Sequence, residues 1–396
     1  MPKTGSSAIQ AFLALNQSKL KGLDILYPNP DRFLEGFQTS SGNCYFFHEL
    51  FAKNKLKKIR SYIDKHFDQT DKNLIFSSEV LFHSLRLYPE RFFKVFSHYN
   101  FKIICYVRQQ ELLFSSACKQ MIKGRGLTAP ELETVEKQFD FFTLLMGTQK
   151  FTATENIVVR PYEEGQFYKQ NIYDDFCKVI GINRDDSFCM PEKNVNPSLN
   201  QSALEYRRLM NIVKIDHDNF KKRISYNNIL TCFSVDSASL GTHQGYSCFS
   251  LAQRKDIYDR YKTRNDQLAK VFYDNKPLFT EVVSNEKKSD GFRYELAPEE
   301  AEKISKYIYR KRKKLLIELY ALLAMQKDTC SFPEIKKVLL PAVEVILTKN
   351  EKKKALIKGK IRLIQQLIPF KTRTKYHELK HRYSIQYFKI QIQNRF

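Results

Sequence analysis

MPKTGSSAIQAFLALN, residues 1–16, opens the chain and reads as a short polar turn that runs directly into a helix. Gly5 permits a tight backbone path, and Lys3 supplies a cation beside it. The turn also contributes the hydroxyl groups of Thr4, Ser6 and Ser7. These groups stand next to the unpaired N–H groups of a helix N-terminus, where the helix dipole favours anions. The stretch therefore predicts an anion-binding loop.

The same residues fit two other interpretations. An ordinary capped helix start would have Ser6 or Ser7 as its N-cap and Gln10 near the reciprocal capping position. A nucleoside-triphosphate loop would need the pattern GxxxxGK[ST], which is absent because no glycine precedes Lys3 and the lysine comes before Gly5. ATP and GTP are therefore disfavoured as ligands of this loop.

Length and charge divide the chain into two parts. Its 396 residues, 42% of them hydrophobic, can bury a substantial core and hold two structural units. Of the net charge of +23, most lies in residues 301–396, which carry 24 Lys and Arg against 7 Asp and Glu. A charged, polar link at residues 284–291 marks the boundary. We therefore expect one domain at residues 1–283 and a basic C-terminal extension at residues 284–396.

Cysteine use and hydropathy indicate the compartment. The eight cysteines form no CxxC pair, and several lie in apolar runs such as Ile103–Val107, so they are expected to be buried thiols in a reducing environment. No apolar run approaches the roughly eighteen residues that span a bilayer. The chain is therefore predicted to be cytoplasmic.

Strand and helix signals alternate along the first domain. Apolar runs predict strands at residues 22–28, 73–79, 101–108 and 156–163. Helical spacing occurs at residues 44–67, 80–99, 109–123, 132–145, 172–180, 204–215 and 251–273. This alternation predicts βαβ units in a parallel sheet with helices on both faces. The extension is predicted to be mostly helical, with helices at residues 298–325, 332–348 and 351–367.

A second motif lies at the end of the third predicted strand. Arg108 ends that strand, and Ser116 follows about two turns into the next helix. Both side chains can therefore reach one anionic group near the helix start. The alternative is a surface arginine and an ordinary helical serine, since neither residue is rare in such places.

Together these motifs resemble those of the PAPS-dependent sulfotransferases, especially the bacterial carbohydrate type; PAPS is 3′-phosphoadenosine 5′-phosphosulfate. Pro2–Gln10 resembles the 5′-phosphosulfate loop of that family, and Arg108 with Ser116 resembles its 3′-phosphate pair. Weaker similarities follow in the family's order, at residues 158–163, 175–182, 194–200, 265–269 and 278–279. The resemblance covers about residues 1–280 and none of the basic extension.

The resemblance implies a P-loop-type parallel sheet and in-line transfer of a sulfonate group from PAPS to a hydroxyl or amine of a carbohydrate or glycan acceptor, with no metal ion. It implies that Lys3 stabilises charge on the leaving oxygen. The residues that would hold PAPS are Lys3, Thr4, Gly5, Ser6, Ser7, Arg108, Ser116 and Tyr162. In the family this loop follows a buried first strand, so we expect that strand to be missing here, through a misassigned start or a truncated gene. A gap in the sheet or high mobility is then expected at Met1.

The base that takes the acceptor's proton has two main candidates, because the family uses either histidine or glutamate. Glu79 follows a predicted strand and has the better expected position, whereas His48 has the more suitable unperturbed pKa. His83 is a weaker third choice. The alternatives are that His48 is an ordinary residue of an amphipathic helix and that Glu79 caps the helix after it.

The basic extension contains the runs Arg310–Lys314 and Lys352–Lys354 next to apolar runs, so it is expected to fold or dock. Such charge is usually a solvated face, but it also fits an acidic glycan or a peripheral contact with an anionic membrane surface. Nucleic acid ranks last because no nucleic-acid-binding signature is found. Two rival functions stay open: another P-loop transferase or kinase, and a non-catalytic truncated homologue that binds polyanions through the extension.

Overall fold

The computed structural model describes residues 1–28, 42–67, 73–191, 197–216, 219–238, 246–281, 283, 295–326 and 331–367, with side chains up to residue 360. Two compact units are present. Unit 1 comprises residues 1–208 and 221–295, and unit 2 comprises residues 209–220 and 296–396. The boundary predicted at residues 283–284 adjoins the segment 284–294, which lies outside the described residues.

Unit 1 contains four short strands and most of the helices. The strands are β1 (Ile25–Leu26), β2 (Asn73–Leu74), β3 (Ile103–Val107) and β4 (Ile157–Pro161). The first helices are α1 (Ser6–Leu15), α2 (Gln17–Gly22), α3 (Phe47–Ala52), α4 (Leu56–Phe67), α5 (Val80–Leu87), α6 (Pro89–Phe96) and α7 (Gln110–Arg125). They are followed by α8 (Leu132–Gln138), α9 (Phe141–Thr148), α10 (Ile172–Val179), α11 (Gln201–Ile212), α12 (Phe220–Ala238) and α13 (Leu251–Phe272), with α11 continuing into unit 2.

The strands form two parallel pairs. In the first pair Ile25 is opposite Asn73, and in the second the register runs from Ile103 opposite Ile157 to Val107 opposite Pro161. No strand among the described residues joins the two pairs. The protein is therefore a mostly helical α/β protein with parallel strands, which confirms the predicted class at that level.

Several predicted helices are split by local sequence. The helix predicted at residues 80–99 breaks at Tyr88, whose backbone is non-helical before Pro89 at the first position of α6. The stretch 44–67 divides into α3 and α4, with Asn54 in the left-handed region at φ 54°. The stretch 132–145 divides where Asp140 accepts the N–H of Thr143 at 3.0 Å and caps α9.

Packing anchors the opening helix. Phe12 and Leu13 of α1 are fully buried, and they belong to a cluster that includes Cys177 of α10. The ring of Phe12 stacks on that of Phe188 at 5.8 Å. Burial of a phenylalanine and a leucine contributes about 2–3 kcal/mol each, so α1 is held firmly and fixes the position of the loop that precedes it.

Unit 2 is helical. Its helices are α14 (Pro298–Gln326), which has non-helical backbone at Arg312, α15 (Leu340–Glu344), preceded by a π-helical turn at Ile335–Leu339, and α16 (Lys349–Leu367). The core includes Ile304, Ile308, Leu316, Leu319, Val343 and Ala355. The helices predicted at residues 298–325 and 351–367 are confirmed, while that at 332–348 is interrupted by the π turn. Residues 368–396 lie outside the described part of the chain.

Thiol burial agrees with the expectation from the sequence for five cysteines, whereas Cys189 is exposed and Cys232 is half-buried. Among the described cysteines, those that are buried thiols are Cys44, Cys105, Cys118, Cys177 and Cys248. Burial raises the pKa of Cys118 to about 12 and that of Cys177 to about 11, which makes both poor nucleophiles. None of the helices that the structure describes has the length and apolar character of a membrane span.

Candidate functional site

The turn before α1 is built around Gly5. Gly5 occupies the N-cap position with φ +74°, and a Cβ there would lie 2.4 Å from Ile172 Cδ1 and 2.8 Å from Tyr162 Cε2. A glycine is therefore required by both backbone conformation and close approach. The prediction of Ser6 or Ser7 as the N-cap is wrong, because both lie inside the first helical turn. Gln10 does not cap the helix either, since its amide donates to Ser77 Oγ at 3.3 Å.

The three hydroxyl groups of the loop have different partners. Thr4 is buried, and its hydroxyl donates to the carbonyl oxygen of Met1 at 2.6 Å. Ser6 Oγ donates to Glu79 Oε1 at 2.5 Å. Ser7 makes no side-chain hydrogen bond with the described residues, and no side chain caps the N-terminus of α1. Ser7 and the first N–H groups of α1 can therefore serve an incoming anion.

Two cations predicted from distant parts of the sequence lie together. Arg108 Nη1 donates to the carbonyl oxygen of Lys3 at 3.4 Å, and its guanidinium carbon lies 5.5 Å from the centre of the Tyr162 ring. Arg108 Nε is buried without a hydrogen-bond partner. Burial lowers the pKa of Arg108 and that of Lys3; Glu79 raises the pKa of Lys3, whereas Arg108 lowers it further. Both cations are desolvated and only partly compensated.

Lys123 belongs to the same group and was missed by sequence reasoning. It is half-buried near the end of α7 and forms no ion pair with the described residues. Burial, and then the charge of Lys3, lower its pKa to about 8. The charge of Arg125 also lowers the pKa of Lys3. The sequence contains a signal for this position, since Lys123 follows Ser116 by seven residues and so lies on the same face of α7.

Ser116 itself is half-buried in α7 and makes no side-chain hydrogen bond with the described residues. No hydrogen bond joins its hydroxyl to Arg108. Its neighbour Ser115 has a structural role, because Ser115 Oγ accepts the N–H of Cys248 at 2.8 Å. The hydroxyl of Ser116 therefore has unused hydrogen-bonding capacity.

The candidate bases lie on α3 and at the start of α5. Glu79 stands at the N-cap position of α5 but makes no capping hydrogen bond, so the capping alternative is wrong and its carboxylate instead faces Ser6. His48 Nδ1 lies 2.9 Å from Ser84 Oγ, and the His48 and His83 rings are 6.5 Å apart. Burial lowers the pKa of His83 and keeps it neutral at pH 7; nearby cations add to the effect.

Other residues of the motifs stabilise the framework around the site. Asp175 accepts from the Tyr106 hydroxyl at 2.7 Å and from Arg160 Nε at 3.1 Å. The amides of Asn265 and Gln110 pair with each other at 2.7 and 3.0 Å. Of the weaker similarity at residues 194–200, residues 194–196 lie outside the described part.

Glu163 fixes the segment at residues 278–281. Its carboxylate accepts the N–H of Thr280 at 2.9 Å and that of Glu281 at 2.7 Å. Burial alone would raise the pKa of Glu163, but the hydrogen bonds from Thr280, Gln166 and Glu281 lower it overall. Residues 278–281 are thereby tied to the end of β4, next to Tyr162.

Comparisons with known proteins give no function for this chain. No family model matches the chain, and no solved structure matches it. An uncharacterized protein of Archaeoglobus fulgidus is 26% identical over 275 residues, which are 68% of this chain and 71% of that protein. Its description names no activity. Among the described residues, no group of three or more His, Cys, Asp or Glu is arranged to hold a metal ion.

Proposed function

We propose that the protein is a sulfotransferase that moves a sulfonate group from PAPS to a hydroxyl or amine of a carbohydrate. One observation carries the proposal. The segments that follow β2, β3 and β4 each bring a polar residue to the turn before α1: Glu79 to Ser6, Arg108 to the Lys3 carbonyl, and Tyr162 to Gly5. Ligands of open α/β sheets bind outside the carboxyl ends of the strands, which is where these contacts are made.

The same contacts support a proposal about the finer fold. We propose that the two parallel pairs are parts of one P-loop-type sheet, since the chain leaves three of the four strands toward a single turn. The resemblance of residues 1–280 to the sulfotransferases supports this arrangement, and so does the helix that follows the turn. A reducing cytoplasmic location fits the buried thiols.

The residues suit the anionic groups of PAPS. The N–H groups at the start of α1 have no side-chain cap, Gly5 leaves no room for a side chain, and Arg108 Nε is buried without a partner. Thr4, Gly5, Ser6 and Ser7 would hold the 5′ end, and Arg108, Ser116 and Tyr162 would hold the 3′-phosphate side. When bound, PAPS supplies a sulfonate group on a phosphate leaving group.

Each protein group then has a defined task. Lys3 places a desolvated positive charge beside the turn, where it stabilises the negative charge that develops on the leaving oxygen. Lys123 adds a second cation on the α7 side. Glu79 is the better-placed base because its carboxylate already faces the turn through Ser6, whereas His48 is hydrogen-bonded to Ser84. Thr4 keeps the turn rigid through its bond to the Met1 carbonyl.

Transfer of radioactive sulfonate tests the proposal. The full chain would be incubated with ³⁵S-labelled PAPS and a panel of neutral and acidic glycans, and label in the glycan fraction would be counted. We expect transfer by the natural chain, a loss of about 100-fold or more in Lys3→Ala and Arg108→Ala, and no loss in Lys102→Ala, which removes an exposed lysine before β3. Absence of transfer together with Mg²⁺-dependent use of ATP would instead favour a kinase.

A further inference from the structure

Unit 2 brings together two basic runs that are far apart in the sequence. Residues 310–314 lie on α14, residues 352–354 lie on α16, and these two helices pack against each other. Glu351 joins the runs, because it pairs with Lys313 Nζ and accepts from the Tyr309 hydroxyl at 3.2 Å. The hydrogen bond from Lys313 lowers the pKa of Glu351 to about 2, so this carboxylate is ionised at every physiological pH.

Four acidic residues of this region are already in ion pairs. Lys303 with Glu300, Lys306 with Glu302, Lys313 with Glu351 and Lys352 with Glu344 form the ion pairs. Several exposed cations have no ion pair with any described residue. They are Arg310, Lys311, Lys314, Lys349, Lys353, Lys354, Lys358 and Lys360. The positive field of these residues is therefore not cancelled within the described chain.

The outer face of α16 mixes these cations with an exposed apolar side chain. Lys349, Lys353, Leu356 and Lys360 follow the spacing i, i+4, i+7 and i+11, which places them in one stripe. Leu356 is 38% exposed. A neighbouring side of the helix, about 100° round its axis, is packed, since Ala355 is fully buried and a Cβ at Gly359 would lie 2.7 Å from Met325 Sδ. The orientation of the stripe toward solvent is thereby fixed.

We propose that this face of unit 2, the Lys349–Lys360 stripe with the adjacent run on α14, docks on the surface of an anionic lipid bilayer. Lysine ammonium groups would contact lipid phosphates while their aliphatic stems and Leu356 enter the boundary between headgroups and acyl chains. Clustered Lys and Arg on an amphipathic helix are the pattern that anionic lipids attract. Leu356 distinguishes this partner, because a dissolved polyanion would need the cations alone. The inference is independent of the proposed reaction.

Co-sedimentation of the full chain with lipid vesicles tests the inference. Vesicles of phosphatidylcholine with about 30% phosphatidylserine would be compared with pure phosphatidylcholine vesicles at low salt. We expect binding only to the anionic vesicles. In Lys353→Glu/Lys360→Glu we expect a loss of 20-fold or more, since each removed charge costs about fivefold and each reversal more. The control Lys57→Glu/Lys58→Glu reverses two exposed lysines of α4 in unit 1 and should bind normally.

Leu356→Ser separates a membrane from other anions. This exposed residue can be changed without a cavity, and we expect vesicle binding to fall about threefold to tenfold while binding to heparin and to double-stranded DNA is unchanged. Equal binding to both vesicle types, or normal binding by Lys353→Glu/Lys360→Glu, would overturn the inference. Unchanged vesicle binding by Leu356→Ser, with tight binding to heparin or DNA, would assign the surface to a soluble polyanion instead.

Discussion

Replacing Lys123 with glutamine should stabilise the protein while weakening its binding of anions. The pKa of Lys123 falls from 10.5 to about 8 on folding, chiefly through burial. At about 1.4 kcal/mol for each pKa unit, the charged lysine costs the folded state at most about 3.5 kcal/mol. Because the side chain keeps some solvent exposure, we expect Lys123→Gln to raise the free energy of unfolding at pH 7 by about 1–2 kcal/mol.

The contribution of Lys123 to the free energy of unfolding depends on pH. The cost is fully present below pH 8, where Lys123 is charged in both the folded and the unfolded chain. Between pH 8 and 10.5 the folded chain has lost the proton while the unfolded chain retains it, so the stability of the natural protein rises with pH in this window. In Lys123→Gln this contribution is absent, and the difference between the two proteins should vanish near pH 10.5.

Thermal unfolding followed by circular dichroism, at pH 7 and pH 9.5, measures the stability change. Calorimetric titration with adenosine 3′,5′-bisphosphate measures the functional counterpart, and we expect about tenfold weaker binding in Lys123→Gln at pH 7. Lys102→Gln is the matched control, since it removes an exposed lysine and should alter neither quantity. A destabilised Lys123→Gln variant with unchanged affinity would refute the reasoning, because Lys123 would then be a structural residue and not an anion ligand.

Three further outcomes are expected. Gly5→Ala should lower the stability by about 1–3 kcal/mol and abolish nucleotide binding, as judged by melting and calorimetry, because φ is +74° and the new methyl group meets a neighbour at 2.4 Å. Glu79→Gln should lower kcat about 100-fold or more, and His48→Gln should lower it much less. Steady-state kinetics would show the reverse ranking if histidine were the base. Glu163→Gln should make residues 278–281 more sensitive to protease. Acidification of the natural chain below about pH 4.5 should have the same effect. Because the pKa of Glu163 is lowered in the folded chain, its bonds to Thr280 stabilise the fold, and this contribution is lost as pH falls.

The sequence predicted the positions of the strands because short β-branched and apolar runs bounded by turn residues are typical of buried strands. It did not predict α12 (Phe220–Ala238), whose buried side includes Tyr226, Thr231 and Ser234 among apolar residues. A buried face that mixes polar and apolar residues leaves no clear helical stripe. Local residues indicated the helix breaks near Tyr88 and Asp140, but the apolar spacing of the surrounding stretches favoured continuous helices.

The candidate site was predictable where the residues form a motif and obscure where tertiary packing decides. Lys3 and Arg108 could be paired through a known order of motifs, and the structure brings them into contact. Lys123 was hidden because a lysine at helical spacing usually faces water, and only the packing of α7 shows that this one does not. The role of Gly5 as N-cap depends on the approach of Tyr162, which no local pattern encodes.

The most direct test of the central claim is calorimetric titration of the full chain with adenosine 3′,5′-bisphosphate at pH 7. We expect saturable, one-to-one binding that does not need Mg²⁺, that is lost in Arg108→Ala and Lys3→Ala, and that persists in Lys102→Ala. Silence of the natural chain toward this nucleotide, or tighter Mg²⁺-dependent binding of ATP at the same residues, would contradict it.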